Sequence, residues 1–218
     1  MRCFSITLAL IGTLMVASLA EATIIGVAGP ASSAGAFASK IIPAPTDALD
    51  ASVWNTGMQG FDEKQGVTTL AAYLTDSGSI ALGTLVDSHM IFLNKQNGAP
   101  DLIHAAVTWT FDGTILGVMS DGPGALEAAS TPELGYPTTN YPAAGFTARG
   151  LEGADTYSVS GATLTVSMFV SQPGDWIRVV TERGTSGPPD PIPEPTTLVI
   201  WSLLGTLGII YGWRRRKA

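Results

Sequence analysis

The sequence predicts an all-β domain, a jelly-roll-like antiparallel β-sandwich, flanked by an N-terminal signal helix and a C-terminal transmembrane helix. Three observations carry this. From about Val67 onward, short apolar runs recur between Gly, Pro, Asn and Asp turn signals. Two of the runs, residues 103–111 and 162–170, alternate with a period of two, which places one face inward and the other outward. Outside the two ends, no stretch keeps an apolar period of 3.6.

Taken in order, the chain opens with Met1-Arg2 and an apolar run from Phe4 to Val16, followed by Ala17-Ser18-Leu19-Ala20. Small residues three and one before Glu21 make residues 1–20 a secretory signal peptide cut between Ala20 and Glu21, with a cut after Ala22 as the alternative. Cys3 precedes the apolar run, which excludes a lipoprotein signal. As the sole cysteine it leaves with the leader, so the mature chain is expected to have no disulfide, Cys-ligated metal or Cys nucleophile. Residues 21–48, rich in Ala, Ser, Gly and Pro, read as an irregular arm with one short strand at most.

The sandwich itself is expected over residues 49–182. About 170 residues between leader and tail are enough for one core without staples. Runs at 67–74, 80–86 and 90–93 read as short strands, cut by Asp76-Ser77-Gly78 and by Asp87-Ser88. In 103–111, Ile103, Ala105, Val107, Trp109 and Phe111 are expected inward, with His104, Ala106, Thr108 and Thr110 outward. Asp112-Gly113 then predicts a hairpin into 114–119. Residues 121–149, loaded with Gly, Pro, Thr and Tyr, read as a long loop and a candidate binding surface. Ser160-Gly161 turns into 162–170, with Leu164, Val166, Met168 and Val170 inward, and Pro173-Gly174 turns into a last strand over 175–181. Residues 183–192 are a Pro/Gly-rich linker.

The tail has three parts. Pro188, Pro189, Pro191, Pro193 and Pro195 make a stiff extended spacer that ends in Pro193-Glu194-Pro195. Residues 196–213 carry no charge and as a helix would reach ~27 Å, close to a bilayer's hydrocarbon thickness. Arg214, Arg215, Arg216 and Lys217 form a basic stop that marks the cytoplasmic side. In this order, residues 193–218 resemble the PEP-CTERM sorting signal of exported proteins of Gram-negative bacteria. The resemblance implies processing at or near Pro193-Glu194-Pro195 by an exosortase, a membrane protease. Release or transfer to the cell surface follows, commonly in organisms that make exopolysaccharide. The partners implied are the Sec translocon, signal peptidase, the exosortase and, transiently, the inner membrane.

Further segments resemble a recurrent exported domain that precedes such tails. They are Phe61-Asp62-Glu63-Lys64-Gln65, Gly83-Thr84-Leu85-Val86-Asp87-Ser88-His89, Phe111-Asp112-Gly113-Thr114-Ile115-Leu116-Gly117-Val118, Arg149-Gly150-Leu151-Glu152 and Pro173-Gly174-Asp175-Trp176-Ile177-Arg178-Val179-Val180-Thr181. That resemblance implies no activity.

Chemistry is sparsely signalled. Of 18 acidic residues only Asp190 and Glu194 lie in the tail region, whereas Arg2 and the last four cations account for five of the 11 basic ones. The exported part is therefore strongly acidic, which speaks against nucleic acid and anionic lipid surfaces as partners. Asp62/Glu63 and Glu152/Asp155 are the acidic pairs a glycoside hydrolase would need. His89 and His104, the only histidines, read as hydrogen-bonded turn or strand residues rather than acid–base or metal groups. The turns Asp76-Ser77-Gly78-Ser79 and Asp121-Gly122-Pro123-Gly124 lack the ligand count of a calcium loop. Arg149, close to Glu152, and Arg178 read as structural partners of carboxylates at a sheet edge. Trp109 belongs to the core, and Trp54 and Trp176 are core residues or sugar platforms. The expectation is thus a non-enzymatic surface or matrix protein with no cofactor and no metal. A carbohydrate-binding module, with exopolysaccharide as ligand, and a secreted hydrolase are the alternatives.

Overall fold

The residues that alternate apolar and polar do form strands, and two antiparallel sheets result. The computed structural model describes residues 23–33, 37–49, 54–95, 98–142, 149–171 and 174–184. The signal peptide and its cut at Ala20 and Glu21 lie outside these residues, as do Pro193-Glu194-Pro195, the 196–213 span and Arg214 to Lys217. Among the described residues no helix is long and apolar enough to cross a membrane.

The elements, in order, are β1 (Ile24–Ala28), β2 (Lys40–Ile41), β3 (Gln59–Asp62), β4 (Val67–Thr68), β5 (Tyr73–Thr75), β6 (Gly78–Ile80), β7 (Leu85–Asn94), β8 (Leu102–Phe111), β9 (Ile115–Met119), α1 (Ala125–Leu134), β10 (Thr156–Ser160), β11 (Thr163–Val170) and β12 (Gly174–Glu182). One sheet runs β1-β8-β11-β10. The other runs β2-β3-β7-β12-β9, with β4 also paired to β7, and β5 and β6 make a separate hairpin. All pairings are antiparallel except that of β2 with β3.

Between the sheets, Trp109, Phe111, Leu164, Val166 and Met168 of the first meet Ile91, Leu93, Val118, Ile177 and Val179 of the second. The second sheet is also covered on its outer face. There Met90, Phe92 and Trp176 pack with Phe61 and Ala48, while Val86, Val180 and Met119 pack with Leu134 of α1. Central strands β7 and β12 are therefore buried on both faces almost throughout, and their sequences lose the alternation that a one-sided strand keeps.

Several expectations are corrected. Asp87-Ser88 does not cut a strand but lies inside β7. Both residues are satisfied there, because the Asp87 carboxylate accepts the Gly66 N–H and the Ser88 hydroxyl donates to Glu63 at 2.6 Å. Asp112-Gly113 is no hairpin, since β8 and β9 belong to different sheets and the turn carries the chain from one to the other. Gly113 lies so close to the Glu182 carbonyl that a Cβ would overlap it, and the Asp112 carboxylate holds the Thr23 N–H at 2.8 Å. The alternation of β8 changes phase at a bulge, where Ala106 has a φ of 54° and donates its N–H to the Ser167 hydroxyl. Consequently Ile103 faces solvent and His104 is buried.

The 121–149 stretch holds α1, a helix that no periodicity announces. Its buried residues are Glu127, Ser130 and Leu134, mostly polar, and Pro132 sits in its last turn. Gly124, with φ 65°, precedes it, and the Asp121 carboxylate accepts the Ala125 and Leu126 N–H groups at 2.8 and 2.9 Å. Finally, the 21–48 arm supplies β1 to one sheet and β2 to the other, so the sheets begin at Ile24 rather than after residue 48.

A buried ion network holds α1 on the second sheet. Arg178, in the middle of β12 and fully buried, donates Nε and Nη2 to the two oxygens of Glu63 at 2.7 and 2.8 Å. Its Nη1 donates to the Glu127 carbonyl and to the Ser130 hydroxyl at 2.5 and 2.6 Å. The Glu127 carboxylate lies 3.3 Å from Arg178 Nη2 and also pairs with Arg149. Arg178 thus occupies the centre of a sheet rather than its edge, and Arg149 pairs with Glu127 rather than Glu152. Arg178→Ala would leave Glu63 without a cation and Glu127 with one fewer. We expect it to destabilise the domain by about 3–5 kcal/mol in urea unfolding, with Arg178→Lys recovering only part because it lacks the planar fork.

Candidate functional site

Carboxylates inside a folded domain are normally matched to cations or to several N–H donors, so an unmatched group of them marks a place to look. Glu63 and Glu127 are matched by the two arginines. Asp62 is matched too, and it points away from Glu63. It lies 2.7 Å from His89 Nδ1 and accepts the Thr23 hydroxyl at 2.5 Å and the Ile24 N–H at 3.0 Å. Burial pushes the Asp62 carboxyl up, but these bonds and the His89 charge outweigh it and hold it below its usual value. The first expected acidic pair is therefore divided between two faces of the second sheet.

The second pair, Glu152/Asp155, does come together, and Asp175 joins it. The three present carboxylate oxygens within 4.8 Å of one another. Local hydrogen bonds set the geometry. Residues 152–155 form a turn in which the Asp155 N–H donates to the Glu152 carbonyl at 3.0 Å. The Glu152 N–H returns to Asp155 Oδ2 at 2.8 Å, and the Phe169 N–H donates to Asp155 Oδ1 at 2.6 Å. Asp175 enters from β12, opposite Leu93 of β7, at the end of the sandwich. It is 2% exposed, and its buried Oδ2 has no hydrogen-bond partner.

Electrostatics follow from that crowding. Burial first, and the Asp155 and Glu152 charges next, push the Asp175 carboxyl up to about 9. Glu152 and Asp155 are also raised, mainly by burial. Among the described residues no Lys or Arg makes an ion pair with any of the three. Arg149 approaches through its backbone carbonyl, which accepts the Trp176 N–H at 2.9 Å, while its guanidinium turns to Glu127. Asp155 also walls an adjoining cleft of about 370 Å³ with Asp76, Asp121 and Tyr157. Burial and then a hydrogen bond to Asp76 push the Tyr157 hydroxyl up to about 12.

A second concavity, of about 410 Å³, lies among Trp54, Asn94, Lys95, Pro100 and Asp101. Trp54 is 56% exposed, whereas Trp109 and Trp176 are buried, the latter with its indole N–H on the Ala48 carbonyl at 2.7 Å. Lys95 reaches Asp101 at 3.3 Å across this cleft.

The remaining candidates are structural. His89 is buried in mid-strand, its ring 4.8 Å from that of Phe111 and its Nε2 3.2 Å from the Thr181 hydroxyl. His104 accepts the Met58 N–H at Nδ1 and lies 2.9 Å from the Pro30 carbonyl at Nε2, which places its proton on Nε2. Burial pushes its pKa down, so the ring stays neutral. Asp76 and Asp121, the oxygen-rich turns of the sequence, use their carboxylates on Ser120 and on the start of α1. Asp175 escaped sequence reasoning because it stood next to a Pro-Gly turn with no acidic neighbour to flag it.

No family model matches the chain, and comparison with curated proteins and with solved structures found no match.

The raised Asp175 carboxyl has a thermodynamic sign. Its folded pKa, about 9, exceeds its usual value of 3.8, so the folded state binds the proton more tightly and loses stability as pH rises from about 4 to 9. In chelating buffer at pH 7.5, Asp175→Asn is expected to raise the melting temperature. It should also flatten the stability decline between pH 6 and 9, measured by circular dichroism.

Proposed function

We propose that the chain is the precursor of an exported, non-enzymatic surface or matrix protein associated with exopolysaccharide. The leader 1–20 carries it through the Sec translocon, and signal peptidase cuts between Ala20 and Glu21. The 196–213 helix then holds it in the inner membrane with the N-terminus out. Its jelly-roll-like β-sandwich is displayed on the outer side, and an exosortase cuts at Pro193-Glu194-Pro195. The observation that carries the reading is the order of the tail: an extended proline-rich spacer, an uncharged span, then Arg214, Arg215, Arg216 and Lys217. Two prolines within three residues lack N–H groups and disfavour a helix, which would leave the Pro-Glu-Pro backbone extended and open to a protease outside the membrane. A structural role is supported by the use of the domain's carboxylates. Asp62, Glu63 and Glu127 hold the sheets and α1 together, so the Asp62/Glu63 pair is taken up structurally; only the Glu152, Asp155 and Asp175 group is unmatched.

The intact mass of the mature protein from its native host, with its location, tests this. A chain beginning at Glu21 and ending near Pro193 to Pro195, found outside the inner membrane, is the expected result. A chain that retains residues 196–218 in the inner membrane overturns the exosortase step.

One observation favours a second reading, a carbohydrate-binding module. Trp54 is exposed beside a cleft that holds Asn94, Lys95 and Asp101, the mix of flat ring and hydrogen-bonding groups that a sugar ring needs. In that case Trp54→Ala weakens retention on the host's isolated exopolysaccharide at least tenfold, with the melting temperature unchanged.

A further inference from the structure

Three carboxylates that approach one another without a cation repel, and a fold keeps them together only if a proton or a metal ion occupies the space between. Asp175 Oδ2 is buried with no hydrogen-bond partner, so among the described residues neither a donor nor a cation offsets its charge. A carboxylate oxygen that receives one N–H still has a lone pair for a metal. We propose that Glu152, Asp155 and Asp175 bind one calcium ion at this end of the sandwich.

Ligand chemistry selects the ion. The donors are all carboxylate oxygens, with no nitrogen or sulfur in the group, which suits a hard cation rather than zinc or copper. Their oxygens lie within 4.8 Å of one another, so a common centre is at most about 2.8 Å (4.8/√3) from each, and a small closing of the turn brings all three to the ~2.4 Å of a Ca–O bond. Magnesium, at ~2.0–2.1 Å in a strict octahedron, would require the turn and β12 to close further.

The elements also divide the work. Asp175 is a buried anchor from β12, whereas Glu152 is exposed and admits the water that completes six to eight ligands. Asp76 and Asp121 in the adjoining cleft add negative potential without touching the ion. An open site with three carboxylates is expected to bind in the range of extracellular modules, about 10⁻⁴–10⁻³ M. Binding would tie the 152–155 turn to the first residues of β12.

The test uses the full chain purified in detergent, stripped with chelator and titrated with calcium chloride at constant ionic strength. The expected result is a rise in melting temperature of about 3–5 °C at ten times the dissociation constant. Calorimetry should show one ion per chain. Asp175→Asn and the exposed Glu152→Gln should each abolish or weaken the response at least tenfold. The two are read together because either alone could alter folding. No shift and no heat up to 10 mM calcium overturns the proposal, as does an unchanged response in both variants. An equal response to magnesium overturns the assignment to calcium.

Discussion

Arg178 and its two carboxylates are the constraint on which the outer half of the domain depends. A guanidinium in the middle of a central strand has no water to retreat to, so its geometry has to be met by protein atoms. Glu63, just past β3, meets two of its N–H groups, and α1 meets others through a carbonyl, a hydroxyl and Glu127. The arrangement explains why α1 can be a helix without an apolar stripe. Its inward residues are polar because what they cover is a charge. Tyr141 lies over the same guanidinium, 5.7 Å from its centre, and closes the site from the loop side.

The inner half obeys the more common rule. Apolar residues from both sheets fill the space between them, and the pattern that places them there is written in β8 and β11. Leu164, Val166, Met168 and Val170 turn inward as their alternation demands, and Ser160-Gly161 supplies the turn, with Gly161 at φ 60°. A packing detail adds to register. Gly60 of β3 sits where a Cβ would come within 2.5 Å of the Trp109 ring, so the indole packs into space that a side chain there would fill.

Legibility in the sequence follows from this difference. One-sided strands announce themselves by period two, and the β class was readable from them. The two-sided strands β7 and β12 do not alternate, so Asp87 and Ser88 looked like a break when they were buried and satisfied. The bulge at Ala106 was invisible because Ala105 and Ala106 suit either face, and with it the burial of His104. The sheet change at Asp112-Gly113 used the residues of a tight hairpin for another purpose. The acidic cluster was half legible: Glu152 and Asp155 stood three apart on a turn, but Asp175 reaches them only through the tertiary fold. Nothing local could have linked it to them.

The placement of β12 has a consequence for the order of events in folding. It is the last strand among the described residues, yet it lies between β7 and β9, pairing with β7 along its whole length and with β9 from Arg178 to Thr181. Until residues 174–182 are available, β9 has no partner in its sheet, β7 lacks one edge, and α1 has no Arg178 to settle on. A chain that emerges N-terminus first therefore carries unpaired strand edges and uncovered apolar surface for nearly its whole length. It closes late, through contacts distant in sequence, which is the slow and aggregation-exposed regime of folding. The second sheet is therefore complete only once residues 174–182 have paired.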